Sequence, residues 1–335
     1  MENLQKYNTK SWFKSALLGF LIGLAIIVPG VSGSTIAIIF GLYASLLYAF
    51  GNILKEFKSC FAFLLPIAIG GVVGFVIGFF AIQYLYNLIP FSIICLFAGL
   101  MIGAYPIILD EIKPISRRPK HIILMLVGVI LPIVISVVSI VLNNSASATT
   151  FGSFPWYMFL LYLPLGFAVG ITQIVPGLSA TALLLIVGQF KPLLNSIHLH
   201  YISAHPQIIA LLLILIIGFV IGIIVCSKAL TLCLNRDKYS SYCVISGLSL
   251  GAILSMFVNP DIALVYELWG QSRTRAITDI SIGAVLLIIG IVLTYSLVRF
   301  ERAHKVNQVA KPDTTDSQIN LNTPLDTTHN KDSEN

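Results

Sequence analysis

The chain has 335 residues with 20 Lys+Arg and 14 Asp+Glu, so charged side chains make up 10% of it, against about 25% in an average soluble domain. That scarcity excludes an ordinary globular enzyme, and in so apolar a chain the formal net charge of +6 points to the sidedness of a membrane protein rather than to nucleic acid. No charge occurs at 15–54, 59–109, 121–190, 192–227, 239–260 or 280–298. A hydrocarbon core about 30 Å thick takes about 20 apolar residues per helical span, so these intervals predict an all-α, polytopic integral membrane protein. Runs such as 209–225 are apolar on every face, unlike the alternating strands of a β-barrel.

In chain order, Lys6, Lys10 and Lys14 precede an apolar run with no small-residue cleavage pattern, so this segment is read as retained rather than as a signal peptide. A first repeat (1–142) then comprises a broken apolar element at 12–50 and helices at 61–86, 90–109 and 121–142. An external linker follows at 143–155. The second repeat (156–299) has a broken element at 156–192 and helices at 207–233, 240–258 and 277–299. Residues 300–335, rich in Asn, Thr, Asp and Ser towards their end, predict a disordered cytoplasmic tail. The five Cys (60, 95, 226, 233 and 243) have no CxxC spacing and read as small apolar packing residues.

The repeat is visible in the residues. Gly19-Phe20, Gly23, Ile27-Val28-Pro29-Gly30-Val31-Ser32 and Gly41 recur as Gly166-Phe167, Gly170, Ile174-Val175-Pro176-Gly177-Leu178-Ser179 and Gly188, at a constant offset of 147. Two further echoes keep the order: Gly74-Phe75-Val76-Ile77-Gly78 with Gly218-Phe219-Val220-Ile221-Gly222, and Gly99-Leu100 with Gly247-Leu248. Pro-Gly at the centre of each broken element removes a backbone donor and frees the chain, so each is read as two short helices forming a re-entrant hairpin; a double crossing would give the same even count. Three crossings then separate the two starts, and the second repeat is inverted. Lys/Arg placement gives the same orientation. With the N-terminus inside, the cytoplasmic segments collect fourteen basic residues, from Lys6 to Lys305, against Lys191, Arg273 and Arg275 outside.

Inverted repeats with paired broken helices point to a secondary transporter whose site lies near the midplane. Apart from Lys14 and Lys191 at their outer ends, the broken elements offer hydroxyls and amides but no carboxylate, His or basic side chain, which argues against an enzyme and against a metal or cofactor. Gly30-Val31-Ser32-Gly33-Ser34-Thr35 leads into a helix whose first N–H groups are unpaired, and an anion would satisfy them. Gly177, Ser179, Ala180 and Thr181, with Gln173, repeat the arrangement. The blander reading is that Ser and Thr simply cap the following helix. Lys228, alone in an apolar span, and Arg236 beyond it are secondary candidates for phosphate contact, with snorkelling and positive-inside anchoring as the alternatives. His198, His200 and His205 on the expected external loop lack a fourth metal ligand. Asp279 could serve proton coupling or cap the last helix.

Pro29-Gly30-Val31-Ser32-Gly33-Ser34-Thr35, Pro176-Gly177-Leu178-Ser179 and the trailing Gly41-Leu42-Tyr43 resemble the signature of the polyprenyl-phosphate transporters of the PopT type, a bacterial family formerly catalogued as a domain of unknown function. The resemblance spans about residues 12–300. It implies a plasma-membrane protein, with both termini cytoplasmic, that carries undecaprenyl phosphate from the outer to the inner leaflet and so recycles the carrier of peptidoglycan and teichoic acid precursors. The implied partners are the lipid and the membrane, with homo-oligomerisation open and no nucleic acid. The second motif departs from the family in having Ala180 where Gly is usual, and Ser34 stands where a second Gly is common. A carrier or channel for a small soluble anion would use the same helix ends.

Overall fold

The computed structural model describes residues 9–30, 36–37, 40, 42–52, 55–112, 118–142, 151, 154–175 and 177–309. Among these the ordered elements are helices and no strand occurs. They are α1 (Thr9–Ile27), α2 (Tyr43–Asn52), α3 (Phe57–Leu88), α4 (Pro90–Ala104), α5 (Pro106–Asp110), α6 (Pro119–Leu142), α7 (Trp156–Ile174), α8 (Ala180–Ile186), α9 (Phe190–Ser196), α10 (Leu199–Ala204), α11 (Gln207–Ser255), α12 (Pro260–Gln271) and α13 (Arg273–Val309). Six stretches are long and apolar enough to cross a membrane: Phe57–Leu88, Pro90–Asp110, Pro119–Val141, Trp156–Ile174, the long run Gln207–Gln271 and Arg273–Ala303. Ser11–Ile27 is a shorter apolar helix.

Two features differ from the sequence expectation, whereas the spans expected at 207–233 and 240–258 stand as two helical limbs of α11 that meet at a kink at Asp237 (φ −155°, ψ 86°). There the Asp237 carboxylate accepts from the Ser240 N–H (3.0 Å) and hydroxyl (2.6 Å), so the break carries its own N-cap. Helix α12 occupies residues expected as an external loop. Its start is set by Asn259, whose side chain accepts from the Ile262 N–H (3.1 Å), and by Pro260 in the first turn. Finally, α13 continues past Arg299 to Val309, so the first ten residues of the expected tail are helical. Residues 310–335, and 143–150 and 152–153 of the expected linker, lie outside the described residues.

Lipid is as apolar as Leu, so helices in a membrane gain nothing from hydrophobic burial against each other and associate through close packing of small residues. Four helix pairs do this here: α1 with α3, α7 with the first limb of α11, α4 with α13, and α6 with the second limb of α11. A β-carbon added at Gly70 or Gly74 would overlap the carbonyl oxygens of Ala16 and Phe20; at Gly218 or Gly222, those of Leu163 and Phe167. These are the same contacts on equivalent residues. They align Gly70 and Gly74 with Gly218 and Gly222, one helical turn away from the sequence match of Gly74 and Gly78 to the latter pair. Glycines repeating every four residues match themselves after a slip of four, and the apolar residues between them cannot hold the register. The other pairs correspond crosswise. Gly99 of α4 meets Leu287 of α13, whereas Gly247 of α11 meets Met125 of α6; in return Gly290 meets Leu96 and Gly128 meets Val244. The third helix of each repeat thus packs against the fourth helix of the other.

Charged residues gather at one end of the bundle, where Lys120 pairs with Asp237 (3.1 Å), Lys238 with Glu111 (2.7 Å) and Arg302 with Asp110. All six come from segments expected on one side of the membrane. The pairs are exposed, so they mark a surface rather than supply stability. The opposite end carries amides and aromatic rings, including Gln83, Asn87, Asn195 and Trp269, beside the carboxylates of Asp261 and Asp279.

Replacing Gly74 or Gly222 with Leu should lower stability by more than about 2 kcal/mol in reversible unfolding from mixed micelles. Gly270, with nothing near its Cα hydrogens, should tolerate Leu to within about 0.5 kcal/mol. Equal effects at the three positions would contradict the packing.

Candidate functional site

Two helices end just ahead of the Pro-Gly pairs. Helix α1 ends at Ile27 and α7 at Ile174. Beyond each, a glycine takes the left-handed conformation that a β-carbon would strain: φ is +82° at Gly30 and +79° at Gly177. In the second break the Leu178 N–H bonds to the Val175 carbonyl (3.3 Å). Ser179 then enters α8 in an extended conformation, and its hydroxyl oxygen accepts from the Ala182 N–H (3.3 Å). Ser179 is therefore the helix cap of the blander reading. Its own O–H, and the first N–H groups of α8, stay outside that interaction.

Each break is pressed against the third helix of its own repeat. A β-carbon on Gly30 would stand 2.6 Å from the Leu100 carbonyl oxygen in α4. Gly177 lies against Ile108 and Ser249, and the Ser249 hydroxyl donates to the Gly177 carbonyl (2.8 Å). Among the described residues, a hydrogen bond joins the end of α1 to the second break: the Thr181 hydroxyl donates to the Ile27 carbonyl (3.2 Å), one of the terminal acceptors of α1. The surrounding core is apolar, formed by Leu100 and Met101 of α4, Ala182 and Leu185 of α8, and Ala252 of α11, with Val28 packed against it.

Gly177, Ser179, Ala180 and Thr181 thus form the second break, and Thr181 reaches the end of α1 three residues before Gly30. Ser32, Gly33, Ser34 and Thr35 lie outside the described residues. Gln173 is exposed, within reach only of the Thr172 hydroxyl (3.5 Å), and Thr172 is buried and committed to the Val169 carbonyl (2.7 Å). Lys228 and Arg236 are exposed along α11. The three histidines part company: His198 meets Gln83, His205 packs on Tyr201 at 4.7 Å between rings, and His200 is exposed. The Asp279 carboxylate accepts from Trp269 Nε1 (2.9 Å).

Sequence reasoning missed Ser246 and Ser249. Ser249 holds the second break, and Ser246 bonds the Tyr105 hydroxyl (2.7 Å) close by. The available signal was the run of serines at 240, 241, 246, 249 and 255 in an otherwise apolar span. Their counterparts in α4 are apolar, Ala98 and Met101, so the two breaks differ in polarity. Among the described residues, the polar contacts at the second break are made by hydroxyls and a peptide N–H.

The family model described as undecaprenyl phosphate translocase-like matches residues 22–271, from late α1 to the end of α12. A polyprenyl-phosphate transporter of Staphylococcus aureus is 25% identical over 285 residues, covering 84% of this chain and 95% of its own. A polyprenyl-phosphate transporter of Vibrio cholerae is 27% identical over 267 residues, covering 73% of this chain and 77% of its own. No solved structure matches. Both relatives are named as transporters. With the matched segment taking in both breaks and the helices that hold them, the chain belongs to the undecaprenyl phosphate translocase-like family.

Proposed function

We propose that this protein is a flippase that returns undecaprenyl phosphate from the outer to the inner leaflet of the bacterial plasma membrane, recycling the carrier for peptidoglycan and teichoic acid synthesis. The observation that carries the reading is the hydrogen bond from Thr181 to the Ile27 carbonyl, which ties the end of α1 to the second Pro-Gly break in the apolar centre of the bundle. The family membership and the names of both relatives support the substrate class.

In this reading the repeats are inverted and the breaks are re-entrant. The crosswise pairing of α4 with α13 and of α6 with α11 supports an inverted pair, because each third helix exchanges its partner with the other repeat. The clustering of Lys120, Lys238 and Arg302 with their carboxylates at one end supports a cytoplasmic face there, with both termini inside. A lipid phosphate does not cross hydrocarbon unaided, whereas its polyprenyl tail can stay in it. The protein needs only to shelter the head group between the breaks. Ser32, Gly33, Ser34 and Thr35 on one side, and Gly177, Ser179, Ala180 and Thr181 on the other, supply hydroxyls and N–H groups. Because α8 is short, directed hydrogen bonds carry the binding rather than a long helix dipole. Neutral donors hold an anion without the deep trap that a buried ammonium would make. Ser249 keeps the second turn in shape from behind.

In proteoliposomes, Ser32→Leu and Ser179→Leu should each slow transbilayer movement of a polyprenyl phosphate by roughly tenfold or more, the loss of one or two charge-assisted hydrogen bonds. Lys228→Ala should change it little. Undiminished transport in stably folded Ser variants, or accumulation of free phosphate in the lumen by the unaltered protein, would contradict the reading. For orientation, an impermeant thiol reagent applied to intact cells should label His200→Cys and spare Lys120→Cys, and the reverse pattern would overturn the assignment of sides.

A further inference from the structure

At the end opposite the ion pairs, the second half of the chain reaches across to the first. Gln83 of α3, 5% exposed, lies 2.7 Å from the Leu194 carbonyl and 3.2 Å from Asn195 Oδ1. Asn87 donates to Asn195 Oδ1 (2.9 Å), and the Tyr86 hydroxyl donates to Asp261 Oδ2 (2.7 Å). Leu194 and Asn195 belong to α9, just beyond the second broken element, so this outer seam joins α9 to α3.

The repeat defines the counterparts of these residues at the inner end. Gly70 and Gly218 lie over equivalent carbonyls, and the same step along the chain carries Gln83 to Thr231 and Asn87 to Asn235 on the first limb of α11. The Pro-Gly offset of 147 carries Asn195 back to Tyr48 on α2. Helices α2 and α9 correspond in detail. The Leu42 N–H bonds to the Ala37 carbonyl ahead of α2, and the Gln189 N–H to the Leu184 carbonyl ahead of α9, both at 2.8 Å. Leu46 then packs with Phe63 and Ile67, as Leu193 does with Leu211 and Leu215. The two ends nevertheless differ. Gln83 is buried, whereas Thr231 and Asn235 are exposed. The Thr231 hydroxyl donates to the Ser227 carbonyl of its own helix (2.8 Å), and the Tyr48 hydroxyl to Glu56 of its own repeat (3.0 Å). Ser227, Thr231 and Asn235 recur every four residues and so form one stripe on α11. Hydroxyls and amides are costly against hydrocarbon and belong where a span lines a polar path.

We propose that Ser227, Thr231 and Asn235 of α11, with Tyr48 of α2, line the inner mouth of the head-group path, a polar slot through which a lipid phosphate passes to the inner leaflet. The slot is open in this structure and closes, by Asn235 meeting α2, when the outer seam parts. The proposal deepens the transport reading and rests on it for the identity of what passes. Inverted repeats exchange the roles of their halves, so the contact of Asn87 with Asn195 at one end becomes that of Asn235 with Tyr48 at the other. A head group released on one side has to be shut off from the other, and the two seams therefore alternate. In the open slot the Thr231 hydroxyl and the Asn235 amide donate to phosphate oxygens, the same donor chemistry as the second break.

The test uses the full chain in proteoliposomes, with Asn87→Cys and Asn195→Cys placed so that a disulfide can lock the outer seam. Of the native cysteines, Cys60, Cys95 and Cys243 are buried, and Cys226 and Cys233 lie on the first limb of α11. In one version the photoreactive residue p-benzoylphenylalanine replaces Asn235, which is exposed; in the other Asn235 is kept and polyprenyl-phosphate movement is followed. Irradiation of the reduced chain should join position 235 to the α2 peptide 43–52. Oxidation should abolish both this product and lipid movement, and reductant should restore both, which also shows that the variants are folded. Asn235→Leu alone should slow movement roughly tenfold, the loss of one charge-assisted hydrogen bond, while Asn235→Gln retains it. Absence of the α2 product from the reduced chain, or its persistence in the locked one, overturns the inner mouth. So does undiminished movement in the locked chain or in Asn235→Leu. A product that depends on the lock in a chain that moves no polyprenyl phosphate upholds the closing slot and sinks the transport reading instead.

Discussion

Everything in this bundle depends on backbone lying directly on backbone. At Gly70 and Gly74, and again at Gly218 and Gly222, helices approach until a single methyl group would overlap a neighbouring carbonyl oxygen. In water such contacts are one contribution among many. In lipid they carry more, because dispersion and close approach replace the hydrophobic drive that joins helices in soluble proteins. The glycine rows hold α1 on α3 and α7 on α11, and those pairs place the ends of α1 and α7 beside each other at the centre.

A helix broken at membrane depth exposes peptide groups to an apolar surround, and each buried group left without a partner costs about 1–3 kcal/mol. The second break shows how most of that penalty is avoided. Leu178 closes the turn on Val175, Ser179 caps Ala182, Ser249 takes the Gly177 carbonyl, and Thr181 takes the terminal carbonyl of Ile27. Carbonyls are thus matched to hydroxyl donors supplied by the protein. The donors at the start of α8 are the groups an anion would complete, which is how a region almost without charge can suit a charged head group.

Much of this was legible in the sequence, for reasons that differ by element. Uninterrupted apolar runs gave the long helices, and Pro-Gly gave the breaks, because both signals are local. The register of the glycine rows was not local. Gly74-Phe75-Val76-Ile77-Gly78 matches residues 218–222 as a string, yet the carbonyls beneath the glycines equate Gly70 with Gly218. Helix α12 was read as loop because Asp261, Glu267 and Gly270 dilute its apolar face, although Asn259-Pro260 is a good helix start. Ser249, Gln83 and Tyr86 were passed over because each gains meaning only from a partner far along the chain. Lys228 and Arg236 drew attention as charges in an apolar run, and both are exposed along α11.

The central claim is that one head group is held where the two breaks meet. Its most direct test is photo-crosslinking with a polyprenyl phosphate carrying a diazirine beside the phosphate, followed by mass-spectrometric mapping of the labelled residues. Labels on both 28–36 and 175–183, competed away by unlabelled polyprenyl phosphate, are the predicted outcome. Labels confined to the lipid-facing surfaces of α6 and α13, or competed equally well by inorganic phosphate, would contradict it.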